Sequence, residues 1–119
     1  MYGRLTTVSP VKQRAALIPG TLELLILRTL LLGPLHGHGI AKHIQNTSKN
    51  VLQVDHGSLY PALHRLERNG YITSKWEQTP RGREMRIYRL APKGRKQLGI
   101  EESRWRELFA ATIRILKPV

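Results

Sequence analysis

The stretch VDHGSLYPALHRLERNGYI, residues 54–72, constrains the fold more than any other part of the chain. Small and aliphatic residues recur in it at the spacing that places them on one face of a helix: Leu59, Ala62, Leu63 and Leu66. Gly70 follows where a left-handed residue commonly closes a helix. Pro61 lies inside the pattern, but if Asp55 or Ser58 caps the helix it falls in the first turn or just beyond, where its missing N–H costs little. The stretch therefore predicts one helix that Pro61 does not break.

Two more helices are predicted before this stretch. The apolar run LELLILRTLLLGPL has helical spacing, with Thr21 as its N-cap and Gly33-Pro34 as its end. A shorter helix is expected from about Gly37 to Ser48, with its isoleucines facing inward. The segment VLQV, residues 51–54, is long enough only for a short strand.

A hairpin and a long helix are predicted after it. YITSKWEQ and MRIYRL are rich in β-forming residues and flank the turn-forming, arginine-bearing segment TPRGRE. Ala91-Pro92 then begins the helix, since proline is well tolerated in a first turn. An apolar stripe runs along this helix and consists of Leu98, Trp105, Leu108, Phe109, Thr112, Ile113 and Leu116.

The predicted order is helix, helix, short strand, helix, two-stranded hairpin and long helix. That is the order of a winged helix-turn-helix, a mainly α (α+β) fold in which the third helix enters a DNA groove and the hairpin forms the wing. We therefore expect a basic N-terminal arm at 1–18, a winged helix-turn-helix DNA-binding domain at 19–91 and a C-terminal dimerisation helix at 92–119.

The apolar stripe on the last helix favours a homodimer. On so small a domain it would leave a large exposed patch unless a second chain covered it. The residues expected to form the dimer are Leu98, Trp105, Leu108, Phe109, Ile113 and Leu116.

The charge of the chain favours a polyanionic partner. Its 119 residues contain 20 Lys and Arg against 8 Asp and Glu, a formal net charge of +12. Such a charge points to nucleic acid first and an anionic membrane second. The longest apolar run is interrupted by Glu23 and Arg28 and is too short to span a bilayer. Together with the absence of cysteine and of a signal-like N-terminus, this leads us to expect a cytoplasmic protein with no membrane partner.

The charge is unevenly distributed along the chain. Residues 79–97 hold seven basic residues and one acidic residue, half of the net charge, whereas residues 55–78 hold three of each. The wing is therefore expected to supply affinity for the DNA backbone, and the neutral third helix to read the base sequence. The residues expected to bind double-stranded DNA are Ser58, Tyr60, Pro61, His64, Arg65, Lys75, Arg81, Arg83 and Arg86, with Arg68 also facing outward. Tyr60 could instead pack between helices.

Three weaker patterns have simpler explanations. His36, His38 and His43 cluster in HGHGIAKH, but no acidic or thiol ligand stands nearby, so surface histidines are favoured and no metal or cofactor is expected. DHGS contains the residue types of a hydrolase triad, but adjacent positions cannot orient them, so no enzyme is expected. Trp105 is either a packing residue or part of a pocket for a small aromatic effector.

Three segments together resemble PadR-type transcriptional regulators, particularly a short, acidobacterial-type group with a single C-terminal helix: LIPGTLELLILRTLLLGPLHGHGIAKHI, VLQVDHGSLYPALHRLERNGYI and YRLAPKGRKQL. The resemblance covers about residues 17–117, and GSLYPALHRLE followed by GYI is its most specific part. It implies a homodimeric winged-helix regulator, most often a repressor, that binds a pseudo-palindromic operator. It also places Ser58, Tyr60 and Pro61 at the start of the recognition helix, and Trp105 where some multidrug-responsive relatives hold aromatic ligands between subunits.

Two residues depart from the family pattern. His38 stands where an aromatic residue such as tyrosine is expected. Ala91 stands where a Thr or Ser cap usually precedes the last helix, a cap worth about 1 kcal/mol. The first departure bears on the packing of the second helix, and neither threatens the fold.

The sequence thus predicts a dimeric, sequence-specific DNA-binding regulator without catalytic activity. Two other functions stay open from the residues alone. One is a nucleic-acid-coating or architectural protein without a preferred site, and the other is a ligand-sensing or protein-interaction module that uses the winged domain as a scaffold.

Overall fold

A computed structural model describes residues 20–118 of the chain. The elements follow in the order α1 (Thr21–Leu31), β1 (Leu35–His36), α2 (Gly37–Thr47), α3 (His56–Arg68), β2 (Ile72–Gln78), β3 (Glu84–Leu90) and α4 (Pro92–Leu116). The strands form one antiparallel sheet in the order β1-β3-β2. This arrangement confirms the predicted winged helix-turn-helix with a long last helix. The predicted basic arm at 1–18 lies outside the described residues.

The core lies between the three N-terminal helices, the base of the sheet and the first turns of α4. Its most deeply buried large side chains are Ile26, Leu27, Ile40, Leu59, Leu63 and Ile72. All four residues predicted for the inner face of α3 belong to this core. No helix within residues 20–118 is long and apolar enough to cross a membrane.

The short strand lies elsewhere than predicted. Residues 51–54 form no strand, and Leu35–His36 pairs instead with Tyr88 and Ile87 of β3. The backbone after α2 turns back on the helix: Lys49 and Asn50 have positive φ angles, and the Leu52 amide donates to Ser48 Oγ at 3.0 Å. Because this segment is bonded to the end of α2, it does not reach the sheet.

The first helix begins slightly differently from the prediction. Thr21 is the first helical residue, and Gly20, with a φ of +90°, takes the N-cap position without a side-chain bond. At the other end of the domain, Pro92 is the first residue of α4 as expected, and Ala91 supplies no side-chain cap. The first turn of α4 therefore lacks the hydroxyl cap that the resemblance implied.

The N-terminal turn of α3 shows how the helix accommodates Pro61. Asp55 is the N-cap, and its carboxylate accepts a hydrogen bond from the Ser58 amide at 2.8 Å. Pro61 is the sixth residue of the helix, just beyond the first turn, so the Gly57 carbonyl loses its intrahelical partner. Both Gly57 and Pro61 are exposed, so water or a ligand can reach that carbonyl. The helix therefore continues through Pro61 and loses one backbone hydrogen bond, which is a small cost in stability.

The end of α3 sets the direction of the wing. Gly70 has a φ of +79°, and its amide donates to the Glu67 carbonyl at 3.0 Å. The predicted left-handed cap is therefore confirmed. Lys93 of α4 adds to it, because its ammonium group donates to the Asn69 carbonyl at 2.8 Å. One of the basic residues counted in segment 79–97 thus completes a helix end.

Candidate nucleic-acid interface

The outer face of α3 is the side turned away from the core. Pro61 and His64 lie on it with Arg68, which stands one helical turn after His64. All three side chains are exposed. Ser58 is exposed beside them, and its amide is already engaged by Asp55. Because Arg68 follows His64 at i, i+4, helical spacing alone places it beside the predicted DNA contacts.

Tyr60 fits both interpretations that the sequence left open. Its ring lies against the first residue of α2, because a Cβ added at Gly37 would come within 2.8 Å of the Tyr60 hydroxyl oxygen. The same ring meets His56 edge-on with centroids 5.6 Å apart. Yet 44% of Tyr60 remains exposed. Tyr60 therefore packs between α2 and α3 while part of it stays accessible to a ligand.

Histidines connect the beginnings of α2 and α3. The His36 and His38 rings have centroids 6.2 Å apart, and the His38 and His56 rings are also 6.2 Å apart. His38, where the resemblance implied a residue such as tyrosine, thus still makes aromatic contacts. In the part of the chain that the structure describes, no group of three or more His, Asp or Glu residues is arranged to hold a metal ion. His56 was not among the predicted DNA contacts, although it precedes Tyr60 by one helical turn.

Arg65 is tied to the scaffold. Its Nε donates to a carboxylate oxygen of Glu23 at 2.9 Å, which joins α3 to α1. The Arg65 side chain is 47% exposed, so it can still be reached by a phosphate. Binding a phosphate through Arg65 would break its contact with Glu23. Arg65 is therefore less available to DNA than the sequence predicted.

The tip of the wing presents two arginines. Arg81 and Arg83 are exposed, and within residues 20–118 neither has an acidic partner. The turn beneath them is closed by Thr79, whose amide donates to the Arg83 carbonyl at 2.7 Å and whose hydroxyl accepts from the Arg83 amide at 3.2 Å. A hydrogen-bonded turn that carries two guanidinium groups without acidic partners in the described residues is suited to contact phosphates.

The two faces of the wing carry different chemistry, because alternate residues of a strand point to opposite sides. Lys75 is exposed and pairs with Ile87, so it lies on the face away from Arg86. On the face of Lys75, the Arg89 guanidinium forms an ion pair with the Glu77 carboxylate and lowers the pKa of that carboxyl group. The structure therefore does not bring Lys75 and Arg86 into one patch.

Arg86 also has a partner within the protein. Its guanidinium lies 3.5 Å from a carboxylate oxygen of Glu67 in α3 and 5.7 Å from the centre of the Trp76 ring. Arg86, Arg89 and Lys93 are therefore all engaged inside the domain. Among the arginines of residues 79–90, those without an acidic partner in the described part of the chain are therefore Arg81 and Arg83 at the tip.

An apolar face lies along the outer part of α4. Trp105 and Phe109 stack with ring centroids 5.1 Å apart, and both rings are exposed. The same face includes Leu108, Ile113 and Leu116. Leu98 is different: it is only 3% exposed and packs in the core, because the first turns of α4 lie against α1. The predicted stripe therefore begins inside the domain and becomes a surface only from Trp105 onward, so Leu98 is not available to a second chain.

A groove of about 210 Å³ lies where α1, the end of α3 and α4 meet. Leu24, Leu27 and Leu66 line it, with the side chains of Glu23 and Glu101 among its polar residues. Trp105 does not line this groove. The aromatic pair on α4 and the groove are separate features.

The sequence was compared with protein families and with known proteins. The sequence profile of the Transcriptional regulator PadR-like family matches residues 26–100. A transcriptional regulator of Mycobacterium tuberculosis is 43% identical over 54 residues, which are 45% of this chain and 50% of that protein. The resemblance to PadR-type transcriptional regulators is thereby confirmed.

Solved structures agree with the profile. A transcriptional regulator from Clostridium thermocellum has a TM-score of 0.73 and 29% identity, covering 83% of this chain and 92% of that chain. A PadR family transcription regulator from Clostridium difficile has a TM-score of 0.71 and 27% identity, covering 82% of this chain and 99% of that chain. With the profile spanning more than half of its length, from α1 into α4, the chain belongs to the PadR-like family of DNA-binding transcriptional regulators.

Proposed function

We propose that this regulator is a homodimer that binds a pseudo-palindromic operator and represses transcription by occupying it. The observation that carries the proposal is that the wing is attached to α3: the Glu67 carboxylate accepts a hydrogen bond from Ser74 of β2 and pairs with Arg86 of β3. The helix exposes His64 and Pro61, and the wing ends in a turn whose two arginines, Arg81 and Arg83, have no acidic partner within residues 20–118. One element can then distinguish bases while the other holds the backbone.

Each protomer would place α3 in the major groove and the wing over the neighbouring backbone. Ser58, Tyr60, Pro61, His64 and Arg68 would face the base edges and nearby phosphates. The wing would contribute Arg81 and Arg83, with Arg65 and Lys75 at the margins. Short polar, aromatic and apolar groups at a helix start suit phosphate capture and contact with a thymine methyl.

A titration with labelled duplex tests the stoichiometry and the electrostatic basis of binding. Fluorescence anisotropy should saturate at two chains per duplex, and the affinity should fall steeply as salt increases because phosphate contacts release counterions. Saturation at many chains per duplex, growing with duplex length, would instead support the coating protein.

The dimer is expected to form through the exposed face of α4. Phe109→Glu places a carboxylate in the middle of this face, where burial against a second chain would cost roughly 3 kcal/mol, about a hundredfold in Kd. Light scattering at micromolar concentration should report twice the 13.6 kDa chain mass for the wild type and one chain mass for the variant.

Ser103→Glu is the matched control for this charge. Ser103 is exposed on the same helix, about a third of a turn away from the Phe109 direction, so the dimer should survive. A monomeric wild type, or a dimeric Phe109→Glu protein, would rule out this interface.

The stacked pair Trp105 and Phe109 favours one further role, an aromatic effector held between the two α4 helices. We expect planar aromatic cations and neutral aromatics to quench tryptophan emission in a Trp76→Phe background, where Trp105 is the remaining fluorophore. Unchanged emission across such a panel would remove the effector from the proposal and leave the DNA-binding role intact.

A further inference from the structure

The side of α3 that faces the wing carries a carboxylate, although the helix belongs to a DNA-binding surface. Glu67 lies seven residues after Tyr60, two helical turns along the same side. One of its oxygens accepts a hydrogen bond from the Ser74 hydroxyl of β2 at 2.7 Å and lies 3.5 Å from the Arg86 guanidinium of β3. Glu67 therefore holds both strands of the wing at once.

Trp76 of the wing also contacts Arg86. Trp76 and Arg86 are directly opposite each other in the β2–β3 ladder, and the guanidinium lies 5.7 Å from the centre of the Trp76 ring. Such a cation over an indole face is attracted by the ring electrons. Glu67, Ser74, Trp76 and Arg86 thus form one cluster, which we call the wing junction.

The wing junction orients the wing relative to α3 more than it stabilises the fold. The side chains of Arg86 and Glu67 are 41% and 32% exposed, and ion pairs this accessible add little to folding stability. The junction nevertheless lies at the middle of the hairpin, above the buried Tyr88 and below the tip. Fixing this point against α3 fixes where the tip arginines stand relative to the recognition helix.

We propose that Glu67 and Arg86 are positioning residues that set the angle between the wing and α3, and that Arg86 keeps this partner when DNA is bound. Arg86 is then not a phosphate contact, unlike Arg81 and Arg83. This inference rests on the proposed DNA contact by the wing. It assigns a role to a carboxylate that charge alone would make unfavourable at this surface.

Variants of Glu67 distinguish a positioning role from simple charge repulsion, because the two predict opposite changes in DNA affinity. Removing a negative charge beside DNA should by itself strengthen binding, and equally for Glu67→Ala and Glu67→Gln. If Glu67 positions the wing, Glu67→Ala should weaken binding roughly tenfold. Glu67→Gln, which still accepts from Ser74, should fall between Glu67→Ala and the wild type.

The salt dependence of binding tests the role of Arg86. Arg86→Gln should lower affinity without changing the slope of log K against log salt, because every phosphate contact is kept. Arg83→Gln, the control at the tip, should reduce that slope by about one. The double variant Glu67→Ala/Arg86→Gln should bind about as well as either single variant, since both remove one interaction.

Trp76 reports on the junction in the absence of DNA. In a Trp105→Phe background, Glu67→Ala and Arg86→Gln should each shift Trp76 emission in the free protein, and Arg83→Gln should not. This readout stands even if the chain binds no duplex. Tighter binding by Glu67→Ala, a slope lowered by Arg86→Gln, or Trp76 emission unchanged in both junction variants would overturn the proposal.

Discussion

Replacing Arg81 and Arg83 together by glutamine is expected to weaken binding to every duplex, on the order of a hundredfold at physiological salt. The two guanidinium groups stand at the wing tip without acidic partners in the described part of the chain. Each of the two substitutions should also lower the slope of log K against log salt by about one, because each removes one cation from the DNA backbone. Anisotropy titrations over a series of salt concentrations measure both quantities.

A matched loss of charge elsewhere distinguishes a local contact from a diffuse field. Arg104→Gln and Arg106→Gln together remove the same charge from α4, where both arginines are paired with glutamates of their own helix. This control should keep nearly the full affinity and slope. If it reduced the affinity as much as the wing variant does, the wing tip would not be the main phosphate contact.

A change in α3 should act differently from a change in the wing. His64→Ala removes an exposed side chain from the outer face of a segment with no net charge. It should alter the preference between operators more than it alters the average affinity. If His64→Ala weakened binding to all duplexes equally, His64 would be a phosphate contact and not a residue that distinguishes bases.

The second large effect concerns Gly94, where α4 meets the start of the wing. A Cβ at this position would lie 2.0 Å from the Tyr71 carbonyl oxygen and 2.9 Å from Cδ1 of Leu90. The same carbonyl accepts the Ala91 amide at 3.0 Å, so it cannot move without disturbing the start of α4. Gly94→Ala should therefore cost roughly 3 kcal/mol or more and lower the Tm by about 10 °C or more.

Gly99→Ala is the control, because it changes the same residue type in the same helix. A Cβ at Gly99 meets no atom within 4 Å, and alanine is the better helix former by roughly 0.5–1 kcal/mol. Thermal denaturation at one fixed protein concentration should show Gly99→Ala at or above the wild type and Gly94→Ala far below it. Equal stability of the two variants would mean that α4 does not approach Tyr71 this closely.

The fold could be predicted where the pattern was local. The inner face of α3 follows from helical spacing, and the bend after it follows from Gly70, whose positive φ is favoured by its lack of a side chain. The hairpin follows from two β-rich segments around a turn. Each of these signals needs only neighbouring residues, so periodicity and turn chemistry are sufficient.

The prediction failed where the outcome depends on distant parts of the chain. Residues 51–54 and the pair Leu35–His36 are both short enough to form a strand, and the partner on β3 decides between them. Leu98 shares the helical spacing of the exposed stripe, yet packing of α4 against α1 buries it. Neither result can be read from one segment of sequence.

The candidate site shows the same division. The charge count places the basic residues on the wing, but it does not show which of them are already paired. Arg65 meets Glu23 across 42 positions of sequence, and Arg86 meets Glu67 across 19. Only the folded chain shows that Arg65 and Arg86 are paired, whereas Arg81 and Arg83 at the tip have no acidic partner within residues 20–118.

Selection of preferred duplexes from a random pool tests the central claim most directly. The wild-type protein should enrich a palindromic sequence whose half-sites are separated by about one helical turn, roughly 10 base pairs, or by a multiple of it, because two α3 helices of a symmetric dimer face the same side of the DNA. Enrichment of no sequence, or of a single half-site without symmetry, would contradict a dimeric regulator that reads its operator through α3.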